Sequence, residues 1–262
     1  MLHGLRNAES ESRNGTNTRF AAFNNGPFTQ GIQMISAIAR VAIGLVAIPA
    51  SVVFLGNTAV GSITANAAVL PKPTVDAPLA RTPGEEVAVL AGGCFWGIEA
   101  VYEHIKGVKS ATSGYSGGPS ASPSYSDVSS GSTGHAEVVR VVYDPSKITY
   151  GEILRVFFSV AHDPTQLNRQ GPDVGTQYRS AIYYTSDTQK RIASSYIAQL
   201  SAGKLFSKPI VTEVSHLAKF YVAEDYHQEY AAQHPRDPYI MIHDAPKVAN
   251  LKKGFPHLYR NR

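Results

Sequence analysis

The stretch VAVLAGGCFWGIEAVYEHI holds Cys94, the only cysteine in 262 residues, two positions before Trp96, the only tryptophan. A buried cysteine can be no more than a small hydrophobe, but its neighbours here argue for chemistry. Val87 to Leu90 is a β-branched and apolar run suited to a buried strand. Gly92 and Gly93 permit a tight turn after it. From Cys94 on, Phe95, Ile98, Val101, Tyr102 and Ile105 recur at helical spacing. Cys94 is therefore expected in the first turn of a helix, at a strand's carboxyl end. Unpaired amides and the helix dipole favour an anion there. Such settings lower a thiol pKa from ~8.5 to about 3.5–7.5. The sequence thus predicts a reactive thiolate.

Three further stretches carry polar groups in unusual company. PSYSDV offers Tyr125 in a loop otherwise built of small residues. GSTGHAEVVRVVYDP puts Glu137 at the mouth of an apolar strand, and RQGPDVGTQYRSAIYY sets Asp173 and Tyr178 around a glycine turn. A glutamate entering a hydrophobic strand is desolvated, which holds it protonated near neutral pH. A neutral acid beside a thiolate pairs a nucleophile with a proton donor, which the reduction of a polar oxide requires. Each residue also has an ordinary reading. Glu137 can be a solvated strand-end charge, Tyr125 a surface aromatic, Tyr178 the start of a strand, and His135 a loop histidine bonded to backbone. Other chemistries share these residues. A cysteine hydrolase would pair Cys94 with His135 or with His162–Asp163. His135-Ala136-Glu137 suggests a zinc deaminase, but the paired cysteine ligands are absent from the sequence. An exported module that binds oxidised peptides without turnover is a third class.

The elements that must position these groups follow from periodicity. After the first strand and helix, Val108–Tyr115 predicts a second strand and Glu137–Tyr143 a third. ITYGEILRVFFSVA has helical spacing, and Tyr178–Tyr184 resumes strand character. The order β-α-β-β-α-β predicts an α+β fold, a ferredoxin-like split core in a two-layer sandwich. SDTQKRIASSYIAQL predicts a third helix with a capping serine. VAEDYHQEYAAQHP predicts a fourth helical segment stopped at Pro235, and IHDAPKVANLKKGFPHLYRNR is expected to be irregular.

Domain organisation divides near Ala67. Residues 1–33 are polar and aperiodic, which predicts disorder or a mis-assigned start. Residues 34–67 open with Met34 and Arg40, run apolar through Val41–Leu55, and end at Ala65-Asn66-Ala67, a small-residue cleavage signature. That predicts a signal peptide and an exported, periplasmic protein. A membrane anchor is the alternative, although the run falls short of the ~20 residues a span needs. Residues 68–85 carry four prolines and predict an extended linker. Residues 86–262 are long enough for one substantial core. The net charge is +4, with no basic block interleaved with aromatics, which argues against nucleic acid. A single cysteine excludes an intramolecular disulfide and any multi-cysteine metal site.

GGCFWG, GYSGG, GHAEVVRVVYDP, HDPTQ, QGPDVGTQYRSAIYY and FYVAEDYHQEY, in this order and spacing, closely resemble the peptide methionine sulfoxide reductase A family over about residues 86 to 235. The resemblance implies the split fold, with extra C-terminal helices, and thiol-dependent reduction of methionine S-sulfoxide. It implies Cys94 as nucleophile, Glu137 as proton donor, and Tyr125 and Tyr178 as hydrogen-bond donors to the sulfoxide oxygen. Phe95 and Trp96 would form the pocket for the S-methyl group, and Asp173 would support the site through an ordered water. Many members carry a second, resolving cysteine near the C-terminus, and this chain has none. It resembles the one-cysteine subgroup, with no bound cofactor and an external thiol reductant: a thioredoxin-like protein, glutaredoxin or glutathione. The partners implied are oxidised proteins or peptides, free methionine sulfoxide and the reductant, with a monomeric chain.

Overall fold

The structure is a computed structural model and describes residues 69–262. The expectations for residues 1–33 and 34–67 lie outside the described residues. The described chain begins as an irregular strap and enters β1 (Glu86–Gly92), α1 (Phe95–Glu103), β2 (Val108–Ser116), the single turn α2 (Tyr125–Ser129) and β3 (Ala136–Tyr143). α3 (Tyr150–Val156) runs on into a π-helical turn, Phe157–Ala161. A short hairpin follows, β4 (Arg169–Gln170) with β5 (Asp173–Val174), and then a 3-10 turn at Thr176–Tyr178. β6 (Ser180–Tyr184), α4 (Asp187–Ala202), β7 (Glu213–His216) and β8 (Tyr221–Val222) complete the main layers.

The sheet order is β7-β6-β1-β3-β2-β8. β3 is antiparallel to both β1 and β2, and β6 is antiparallel to β1. β1 and β2 therefore run the same way with β3 between them, which is the split unit the sequence predicts. Alternation decides what each strand presents. Ala88 and Leu90 of β1, and Val139, Val141 and Tyr143 of β3, join the larger core under the helices. Val89, Ala91, Ala136 and Val138 face the other side, where Tyr183, Leu217 and Phe220 pack on them. β1 is buried on both faces, which explains its uninterrupted apolar run.

Helix starts use local chemistry. The Thr149 and Ser186 side chains accept from the Glu152 and Gln189 amides and cap α3 and α4. α1 has no such cap, and only Trp96 escapes full burial along its length. A helix enclosed this way is held by packing on all sides.

Three expectations are corrected. The predicted fourth helix over VAEDYHQEYAAQHP is instead a 3-10 turn, Asp225–His227, and a four-residue α5 (Tyr230–Gln233). Tertiary hydrogen bonds override helix propensity: Ala223 N–H donates to the Ser113 carbonyl and Glu229 N–H to Glu99 Oε2. The Gln228 side-chain amide donates to the Ser113 and Ala223 carbonyls, holding this segment to the edge of β2. The C-terminal stretch expected to be irregular forms a π-helical turn, Ile240–Asp244, and α6 (Ala245–Gly254). Its buried stripe runs Asp244, Val248, Leu251, Phe255, and the acidic member conceals the period. β6, the fourth strand of the split unit, starts at Ser180 rather than Tyr178, because the 3-10 turn takes up Tyr178.

The proline-rich segment read as a linker lies packed on the domain from Leu70 onward. Leu70 is buried, its N–H donates to Ser159 Oγ, and its carbonyl accepts from Arg155 Nε. Tyr196 donates its hydroxyl hydrogen to the Pro71 carbonyl. Prolines keep the strap extended and leave its carbonyls available as acceptors. Asp76 makes the firmest tie, accepting from Gly151 N–H at 2.9 Å and from Thr149 Oγ1–H. Asp76→Ala leaves the start of α3 without these acceptors and should cost about 1–3 kcal/mol. Urea unfolding should show a lower midpoint at unchanged m; a loss below about 0.5 kcal/mol would mean the strap is held elsewhere.

Candidate active site

β1 ends in Gly92 and Gly93, and Gly93 takes φ 97°. A side chain there would also collide with Gln170, 2.5 Å from where its Cβ would sit. Only glycine fits both the conformation and the contact. The turn places Cys94 at the N-cap of α1, largely buried, with Phe95 as first helical residue. β3 arrives from the other side. Glu137 shares the helix-facing side of β3 with Val139 and Val141, pairs opposite Tyr115 of β2, and is 1% exposed. Its Oε2 accepts from Phe95 N–H at 3.0 Å, satisfying one of the amides a helix start leaves open.

Burial sets the protonation states. It pushes Glu137 up to about 8, against the Phe95 hydrogen bond and with help from the negative charges of Asp173 and Asp244. At neutral pH the carboxyl is a proton donor. The same burial pushes the Cys94 thiol well above its usual value, and the Glu137 and Asp244 charges add to it. The expectation of a depressed thiol pKa is corrected here. Help at the helix start exists, since the Trp96 N–H and the Lys247 ammonium pull the other way, but desolvation outweighs it.

The surrounding surface is aromatic. Trp96 stacks on Tyr230 with centroids 3.8 Å apart, meets Tyr239 edge-on at 6.0 Å, and donates Nε1–H to His227 Nδ1 at 3.2 Å. Phe95 packs against Tyr115 and His227. Tyr125 begins α2, its amide held by Glu224 Oε1, and its ring lies 4.3 Å from that of His227. Tyr178 sits in the 3-10 turn after the hairpin. Burial raises both phenols, and Glu137 is the next cause in each case, with Cys94 also contributing. Both are neutral donors grouped around the acid and the thiol. Asp173, in β5, accepts the Tyr239 hydroxyl hydrogen at 2.5 Å. The structure therefore gathers Cys94, Phe95, Trp96, Tyr125, Glu137, Asp173 and Tyr178 in one place.

His135 and His162, the two histidines offered as a base, do not join them. His135 Nδ1 accepts from Gly118 N–H and its Nε2 meets the Ser120 carbonyl. His162 bonds the Phe157 carbonyl and Ser180 Oγ, and burial lowers it to about 4. Neither imidazole serves the thiol, so the hydrolase reading lacks its base. Among the described residues, no three His, Cys, Asp or Glu side chains cluster as metal ligands.

Sequence reasoning missed Tyr239, just before the stretch without visible period, and Asp244 and Lys247 within it. It quoted His227 and Tyr230 within a motif but gave them no role. Trp96 carried a signal for His227, because a buried indole N–H needs an acceptor. The protonation state can be tested directly. A ¹³C-NMR titration of the Glu137 carboxyl should have its midpoint near 8, so the neutral form persists below that pH and is lost as pH rises through it. A midpoint at the ordinary carboxylate value of about 4.3 would overturn this account.

A family model described as "Peptide methionine sulfoxide reductase" matches residues 86–258. The chain is 57% identical over 180 residues to peptide methionine sulfoxide reductase MsrA 2 of Mesorhizobium japonicum, covering 69% of this chain and 92% of that protein. It is 50% identical over 201 residues to MsrA 2 of Synechocystis, covering 75% of this chain and 94% of the relative. Among solved structures, methionine sulfoxide reductase A of Corynebacterium diphtheriae aligns with TM-score 0.52 and 39% identity, covering 64% of this chain and 85% of that one. Reduced Mxr1 from Saccharomyces cerevisiae aligns with TM-score 0.52 and 35% identity, covering 61% and 94%. With its whole catalytic core matched, this chain belongs to the peptide methionine sulfoxide reductase family.

Proposed function

We propose that the chain reduces methionine S-sulfoxide, free or in proteins, to methionine, with Cys94 as nucleophile and Glu137 as acid. The observation that carries the reading is a carboxyl kept neutral by burial and bonded to the amide next to the only thiol. The aromatic surface of Phe95 and Trp96 suits a polarisable S-methyl group. Glu137 protonates the sulfoxide oxygen, while Tyr125 and Tyr178 stabilise its growing charge. Cys94 sulfur attacks the sulfoxide sulfur and forms a sulfur–sulfur bond as the protonated oxygen leaves as water. A water then attacks the Cys94 sulfur and the sulfur–sulfur bond breaks toward methionine. Methionine leaves reduced by two electrons, and Cys94 is oxidised to the sulfenic acid. Glu137 recovers the proton that the thiol gives up, so one proton passes round the site. Repulsion between the two buried groups makes the exchange coupled: ionising the thiol is easiest while Glu137 is neutral.

No second cysteine can close a disulfide within the chain, so an external thiol must clear the sulfenate. Without thiol, one mole of enzyme should release about one mole of methionine and stop, with Cys94 gaining one oxygen in mass and trapping dimedone. Cys94→Ser should release none, and Glu137→Gln should slow release by about 10²–10⁴-fold. Several methionines released per chain without thiol, or an active Cys94→Ser, would sink the scheme.

Residues 34–67 act, in this reading, as an export signal. The reductant is then a periplasmic thiol donor rather than the cytosolic thioredoxin pool. Protein secreted from a bacterial host should begin at or near Ala68 by N-terminal sequencing; an intact Val41–Leu55 segment in membranes would favour the anchor.

A further inference from the structure

The C-terminal stretch, which carries no cysteine, lays a charged pair against the catalytic helix instead. Asp244 precedes α6, is 1% exposed, and accepts from Lys247 Nζ at 3.0 Å through Oδ1, while its buried Oδ2 has no hydrogen-bond partner. Both side chains press on the first turn of α1. A Cβ built on Gly97 would sit 2.0 Å from Asp244 Oδ1 and 2.7 Å from Lys247 Nζ. Gly97 is three residues beyond Cys94, so the pair lies on the Cys94 face of the helix. Lys247 also lines a cleft of ≈ 550 Å³ with His162, Asp163 and Gln170. His162 and Gln170 pack against Gly92 and Gly93, so the cleft flanks the turn that carries the sulfur.

A buried pair next to a nucleophile has a chemical consequence for its recycling, and this inference rests on the function proposed above. A first external thiol converts the sulfenate to a mixed disulfide, Cys94–S–S–R, with loss of water. A second thiolate then attacks the R sulfur, the S–S bond breaks, and Cys94 departs with the electron pair. Two external thiols are oxidised to R–S–S–R, and Cys94 is reduced by two electrons. The rate of the second step depends on how well the leaving thiolate is stabilised. We propose that Lys247, fixed by Asp244 against the first turn of α1, is a positioning residue for recycling: its ammonium stabilises the Cys94 thiolate as it leaves. The Lys247 charge lowers the thiol pKa, whereas Asp244 and Glu137 raise it. The other groups around the pair are His162, whose protonation Lys247 opposes, and Asp173 and His243, whose charges act on Asp244.

The test is the pH dependence of Cys94 alkylation by iodoacetamide in the full chain, with no sulfoxide present and folding checked by circular dichroism. Lys247→Met should move the midpoint up by about one unit, and Lys247→Arg should restore it. Asp244→Asn, which removes an anion, should move it down. During turnover with methionine sulfoxide and glutathione, Lys247→Met should accumulate the Cys94–glutathione adduct by mass spectrometry. A Lys247→Met profile that coincides with wild type overturns the proposal, as does an Arg variant shifted as far as Met. A shifted profile in a chain that releases no methionine would instead overturn the reductase reading, leaving only the effect of Lys247 on the Cys94 thiolate.

Discussion

The hydrogen bond from Phe95 N–H to Glu137 Oε2 joins the two halves of the split unit where chemistry is required. It ties the first turn of α1 to the second residue of β3, and both ends are buried. A carboxylate at that point would be costly to keep dry, and the site meets this by keeping the group neutral. The arrangement needs β1 to end in a glycine turn, so that α1 starts over the sheet. It also needs β3 to enter between β1 and β2, so that Glu137 reaches the helix side. The six-stranded order supplies both.

The same dryness governs the thiol. Helix-start electrostatics favour an anion by an amount that depends on how much solvent remains. Here little remains, and the thiol stays protonated at rest. Reactivity then belongs to the complex rather than to the free protein, because substrate brings the acceptor that takes a proton. A resting thiol is also slower to oxidise adventitiously than a resting thiolate.

The core elements were legible because their apolar patterns are strong. β1 and β3 carry apolar runs of strand length, α3 and α4 carry buried faces at helical spacing, and turn residues stand at their ends. The acid was legible as a lone charge heading an apolar strand. The segment around Gln228 was not, since its hydrogen bonds go to β2, more than a hundred residues away in sequence. α6 was hidden because Asp244 occupies a core position, where its carboxylate pairs with Lys247 three residues on and both press on Gly97 of α1, far away in sequence. The thiol's protonation was misjudged for a related reason: local geometry shows the dipole but not the burial.

Trp96 stands on the aromatic surface beside Cys94. It is also the chain's one indole, stacked on Tyr230 and hydrogen-bonded to His227. All indole fluorescence from this protein therefore originates at the aromatic surface beside Cys94. Whatever enters the pocket, dries it, or oxidises the neighbouring sulfur changes that emission with no background from elsewhere. The molecule carries its own optical gauge of occupancy, two residues from its single thiol.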